Sequence, residues 1–271
     1  MKILSNWRKI FVISIIVICI ICINLAVYLQ IIEKDTTSNK NNEIIIDTVA
    51  LTENFENIFN NTIDKQQKDI NNISRIDNSK ELVYTNYTKI ENNNEIDINI
   101  PHINIKNEII ESINKEIDDL FYKNIDNILK NSQNNSIIYN VTYKAYLNDN
   151  ILSLIIRCNI KENENAQRLV IKTYNYNISS NQILNIEQVL DYRGLDKKTV
   201  QNKINNTIQE ASKTSSTYQE LGYKKYTRNT ADEMYILENT KVFFIGEGKS
   251  LYILYPYGNS NYTTEIDLVV M

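Results

Sequence analysis

The sequence predicts an α+β fold, with a single N-terminal transmembrane helix followed by an antiparallel sheet domain carrying packed helices. Three observations carry this reading. One long apolar segment opens the chain, strictly alternating apolar runs recur between residues 81 and 270, and an amphipathic stretch with helical spacing lies among them.

The apolar segment is Ile10 to Ile32, IFVISIIVICIICINLAVYLQII. No charge interrupts it, and as a helix it reaches about 34 Å, against about 30 Å of bilayer hydrocarbon. Lys2, Arg8 and Lys9 precede it, and Glu33 and Asp35 follow. The positive-inside rule then makes residues 1–9 a short cytoplasmic tail and 10–32 a membrane anchor. The remainder faces outward, so the expected location is the cell membrane, single-pass, with an extracellular C-terminal domain. The segment is longer than the apolar core of a cleaved signal peptide and has no small-x-small site.

Residues 33–80 read as a juxtamembrane stalk. Strands are expected over 81–90 and 95–100, where Ile96, Ile98 and Ile100 alternate with Asp97 and Asn99, and Pro101 is expected to end the ladder. From Lys106 to Lys130, Ile109, Ile110, Ile113, Ile117, Leu120, Phe121, Ile125 and Ile128 form one stripe of a single helix. Glu108, Glu111, Asp118 and Asp119 lie largely off that stripe and read as a solvated face. Residues 137–147 and 152–160 alternate around Asn148-Asp149-Asn150, which marks a hairpin. A strand over 169–178, a short helix over 186–192 and a helix capped by Asp196 follow. Residues 214–232 read as irregular. A closing hairpin over 242–245 and 250–255 leads to a last strand over 263–270.

The net charge of −4 leaves no field for nucleic acid. Asn, Ile, Lys and Tyr, all with AT-rich codons, are abundant, which points to an AT-rich bacterial genome. Of three cysteines only Cys158 lies outside the apolar segment, and its phase puts it on an apolar strand face as a small buried hydrophobe. His102 is the single histidine, too few for a typical metal-dependent deacetylase, and no Gly-x-Ser-x-Gly elbow accompanies it. Neither metal nor cofactor is expected, and the chain does not read as an enzyme. Glu265 and Asp267, two apart on one strand, approach a glycosidase carboxylate spacing but read better as a polar strand face. Tyrosine offers a stiff apolar body with a polar tip, so Tyr252, Tyr255, Tyr257 and Tyr262, with Tyr174 and Tyr176 on another strand, are the candidate ligand-binding residues.

The runs INIPHINIKNEIIESINKEI (98–117) and YNVTYKAYLNDNILSLIIRCNI (139–160) resemble a bacterial extracytoplasmic module found in PdaC-type peptidoglycan deacetylases and RsiV-type anti-sigma factors. The runs at 169–190 and 242–271 are similar to its continuation. The resemblance implies a first α+β unit over 81–186 and a second over 187–271, forming one continuous ectodomain. It does not extend to a sigma-binding or deacetylase part, and the nine-residue tail is too short to hold a sigma factor. It implies a binding or sensor domain of the cell envelope, with a lysozyme-like wall-active protein or peptidoglycan as ligand. A regulatory membrane protein signalling through a membrane partner, and an envelope hydrolase, are the alternative readings.

Overall fold

The computed structural model describes residues 58–59, 73–78, 81–91, 95–165, 167–220, 228–257 and 265–271. The anchor at 10–32 and most of the stalk lie outside the described residues. Among the described residues no helix is long and apolar enough to cross a membrane. Residues Asn54–Met271 form one compact unit.

Six strands form the larger sheet: β1 (Val83–Glu91), β2 (Ile96–Ile103), β3 (Ile137–Asn148), β4 (Ile151–Glu162), β5 (Arg168–Asn177) and β6 (Gln182–Ile183), in that spatial order. Neighbours are antiparallel except β2 and β3, which run parallel. That pair needs a crossover, supplied by α1 (Glu108–Ile117), a π turn (Asp118–Tyr122) and α2 (Ile125–Ser132). The chain is therefore α+β and rich in antiparallel pairs, with one parallel step that hairpin logic does not foresee.

The single helix expected over 106–130 is broken. Asn107 caps α1 through its side chain, and the π turn then inserts an extra residue per turn. That shift turns Phe121 and Ile125 inward and leaves Leu120, an expected stripe member, exposed. Pro101 does not end its strand, since β2 continues to Ile103. The β2–β3 register reaches only Ile98, and opposite Pro101 strand β1 carries a bulge between Thr85 and Tyr87. A residue lacking an N–H is tolerated where the ladder is interrupted.

Ile96, Ile98 and Ile100, the inward face of β3, Leu152, Leu154, Ile156 and Cys158 pack with α1 and Phe121 into a first core. Buried asparagines close its margins. Asn104 accepts from the backbone N–H of Ile76 and Asp77 and donates to the carbonyls of Asp77 and Glu81. Asn114 accepts from Ile103 N–H and donates to Ile103 C=O.

The second core belongs to α3 (Ile186–Arg193), α4 (Lys197–Glu220) and a smaller sheet of β7 (Phe243–Ile245), β8 (Leu251–Tyr257) and β9 (Glu265–Val270). A reciprocal Asn185–Gln188 capping box starts α3, and Gly194 ends it at φ 63. Asp196 accepts from Thr199 N–H, as expected of a cap. Helix α4 then runs to Glu220, through part of the stretch expected to be irregular. Among the described side chains of α4, Val200, Ile204 and Ile208 enter the core.

The smaller sheet meets the larger one through the edge of β7. Phe243 and Ile245 face their backbone groups outward, toward the second face of β4 and β5. Phe243 N–H donates to Thr173 Oγ1 (3.2 Å), and Phe243 C=O accepts from Asn175 Nδ2 (2.8 Å). Ile245 N–H donates to Ser153 Oγ (3.2 Å), and Asn148 Nδ2 donates to the carbonyls of Ile245 and Gly246. Ser153 Oγ in turn donates to Asn175 Oδ1 at 2.7 Å. Phe244 points the opposite way, sandwiched between Tyr252 (4.7 Å) and Tyr146 (5.7 Å).

Asn175→Ala strips Phe243 C=O and the Ser153 hydroxyl of their partners at once. Each abandoned buried group costs about 1–3 kcal/mol, so we expect a loss of about 2–4 kcal/mol in urea unfolding. In a double-mutant cycle Ser153→Ala should cost clearly less once Asn175 is gone, and strict additivity would contradict the coupling.

Candidate functional site

The singled-out tyrosines whose side chains are described do not form one surface. Tyr174 and Tyr176 lie in the first core and Tyr255 in the second, all buried. Tyr252 is half-buried, its ring stacked on Phe244 and filling the space a Cβ on Gly246 would need, 2.5 Å away. Two of their hydroxyls are hydrogen-bonded, whereas the buried Tyr174 hydroxyl has no hydrogen-bond partner among the described residues. Tyr176 accepts from Asn107 Nδ2 and donates to Asn181, while Tyr255 shares a 3.0 Å bond with Thr240. Tyr174, Tyr176 and Tyr255 are thus packed within the two cores, and Tyr252 against Phe244. Tyr262 and the side chain of Tyr257 fall outside the described residues.

Asp267 is likewise no surface carboxylate. Arg228 Nε lies 2.9 Å from each of its oxygens, and Tyr235 donates to Oδ2 at 3.2 Å. Both charged side chains are almost fully covered. Asp267 and Val269 thus face the second core, while Ile266, Leu268 and Val270 occupy the other face of β9. The side chain of Glu265 falls outside the described residues. Cys158 is buried, as its strand phase predicts, and burial pushes its thiol up to about 12. Among the described residues no group of three or more His, Cys, Asp and Glu could hold a metal ion.

A different set of aromatics does converge, where β1, β2 and the π turn meet. The bulge in β1 separates Tyr84 from Tyr87, and the π turn lifts Tyr122 over the strand. Tyr87 and Tyr122 meet edge to face at 5.0 Å, and Tyr122 remains 47% exposed. Beside them the His102 ring meets Tyr84 edge-on at 6.1 Å. Its Nε2 lies 2.9 Å from Asp118 Oδ1, at the first residue of the π turn. Burial, followed by the charges of Asp77 and Asp118, raises the Tyr84 phenol. Thr85 and Tyr143 share a hydroxyl bond of 2.8 Å. His102 is half-buried in this polar pair.

Bulges and π turns re-aim side chains that regular elements would point elsewhere. Here two such irregularities set a partly exposed aromatic pair beside an oriented imidazole and its carboxylate. Aromatic edges can take apolar or sugar C–H surface, and the polar pair can exchange hydrogen bonds with whatever sits on them. Sequence periodicity misses this set because it depends on two departures from periodicity. The one available signal is Asp118-Asp119-Leu120-Phe121-Tyr122, where exposed and apolar residues stop fitting a helical stripe.

Two clefts of about 480 Å³ flank the segment before β7. One is walled by β5, the start of α3 and Lys241, the other by Met234, Leu254 and Pro256. Neither gathers exposed aromatics. No protein-family model matches the chain, and no curated protein matches it.

Burial raises the phenols of Tyr139, Tyr174, Tyr235 and Tyr255, in addition to the Cys158 thiol. Groups that hold protons more tightly folded than unfolded give stability that is complete below their unfolded values, about 8.5 for thiol and about 10 for phenol. That stability is lost as pH rises through the folded values. We therefore expect the fold to weaken progressively above about pH 9. Tyrosine ionisation, followed by absorbance, should show a late cooperative step coincident with loss of circular dichroism. A smooth titration centred near pH 10 with the fold intact would contradict these burials.

Proposed function

We propose that this chain is a membrane-anchored binding or sensor module of the cell envelope, with the Tyr84–Tyr87–Tyr122 face beside His102 and Asp118 as its ligand-contacting surface. The observation that carries the reading is the exposed Tyr122 ring, held over Tyr87 by the π turn next to an oriented polar pair. Tyrosines of this kind, stiff and amphipathic, supply contact area at low entropic cost. The uncharged segment 10–32, with cations before it, supports the anchor and the outward placement of the rest. The resemblance of residues 98–117 and 139–160 to the RsiV- and PdaC-type module supports an envelope ligand, either a lysozyme-like protein or peptidoglycan.

Placed in lipid nanodiscs, the full chain should be retained on insoluble peptidoglycan or on immobilised lysozyme. Tyr122→Ala should then weaken retention about tenfold or more, as expected of a central aromatic contact, while leaving the thermal melt unchanged. Retention on neither ligand removes the assignment, and retention indifferent to Tyr122 moves it to another surface. Topology is tested separately. Carbonate washing should leave the chain in the membrane pellet, and removal of residues 1–32 should release it. Extraction of the full chain by carbonate alone would rule out the anchor.

A further inference from the structure

The two cores do not account for every buried apolar side chain. Ile155 on β4, Phe244 on β7, Leu254 on β8 and Leu268 on β9 are covered, yet none belongs to either core. They share one face. Ile155 points away from the helices, opposite Lys144 of β3, and the next residue of β3 on that face, Tyr146, stacks on Phe244. Leu254 and Leu268 pair across β8 and β9 on the side of the smaller sheet that Phe244 occupies. Both sheets therefore contribute to a third buried face, and something outside the two cores covers it.

The charged end of this face shows what that is. Lys144 is itself buried, and Arg157 follows Ile155 on the same side of β4. The Thr142 hydroxyl opposite Arg157 is buried as well. The Arg157 guanidinium carbon lies 4.8 Å from the centre of the Phe59 ring, a cation seated on an aromatic face. Ile58 and Phe59 are helical and half-buried, and the compact unit begins at Asn54. Residues expected to be part of a stalk thus reach the outer face of the larger sheet. The sequence around them matches that face. Phe55, Ile58, Phe59 and Ile63 recur at helical spacing, and Glu56, one turn before Phe59, supplies a carboxylate where Lys144 and Arg157 supply cations.

We propose that the segment from Asn54 to Ile63 is a strap docked on this third face, with Phe59 seated against Arg157, and that it clamps the two sheets together. Its release would uncover Phe244, Leu254 and Leu268 beside β7, the short strand through which the sheets are joined. Tension on the chain ahead of Asn54 then reaches the join, which a plain spacer would not allow. The inference does not depend on which ligand the aromatic face takes.

Amide hydrogen exchange on the full chain in nanodiscs tests this. Residues 54–63 should exchange about tenfold or more slowly than the same sequence as a free peptide. Phe59→Asp should remove that protection and speed exchange at Phe244, Leu254 and Leu268 about tenfold, while the amides of β2 and α1 keep their rates. Phe59→Leu keeps apolar volume but loses the ring, and should loosen the strap about two- to fivefold, the worth of one cation–aromatic contact. Exchange at free-peptide rates over 54–63 in the unmodified chain overturns the proposal. Indifference of Phe244, Leu254 and Leu268 to Phe59→Asp also overturns it, because another segment then covers the face. Equal acceleration in β2 and α1 does so too, since Phe59 would then support the whole fold rather than a releasable strap.

Discussion

The join between the two sheets depends on the edge of a three-residue strand. Burying β7 against the face of a sheet, rather than beside another strand, leaves its outward N–H and C=O groups with no ladder to enter. Each such group left bare would cost about 1–3 kcal/mol, enough in sum to undo a small domain. The larger sheet answers with side chains: Asn148, Ser153, Thr173 and Asn175 stand in for the missing strand. Because these four sit on β3, β4 and β5 at fixed register, they also fix where β7 lies. With it they position the second core, whose Phe243 and Ile245 descend from the same residues that make the bonds.

The same device explains why β4 is buried on both faces although its sequence alternates. Leu152, Leu154, Ile156 and Cys158 point to the helices, while Ile151 reaches the second core and Ser153 the seam. The hairpin itself was legible, because strict alternation and an Asn-Asp-Asn turn are local signals, and Asp149 does adopt positive φ there. The function of Ser153 was not, since a polar residue on the outward phase of a strand looks the same whether it meets water or another sheet.

Asparagine shows the limit most clearly. An AT-biased composition makes asparagine look like filler, and for Asn131 or Asn134 on the surface nothing contradicts that. Yet Asn104, Asn114 and Asn175 are buried, and their amides complete backbone groups at strand ends, on a helix and across the seam. An amide offers both a donor and an acceptor, so it can replace a neighbouring peptide group, which no apolar side chain can do. Sequence separation hides these roles: Asn175 meets Phe243 across 68 positions. The apolar pattern reports which face is buried, and says nothing of which polar residue is buried with it.

Tyrosine carries the complementary lesson. Six tyrosines drew attention as a cluster in sequence, and the four with described side chains are taken up by packing and internal contacts. Those that remain partly exposed and convergent, Tyr87 and Tyr122, are brought together by a bulge and a π turn that no regular period encodes. Both irregularities flank His102, whose bond to Asp118 ties the strand to the π turn. Breaking regularity has a cost, since a π turn gives up favourable helical geometry and a bulge leaves a residue out of the ladder. Two such costs incurred at one place, next to the single histidine of the chain, are what distinguish this face from the other tyrosine-bearing surfaces and make it the better candidate for recognition.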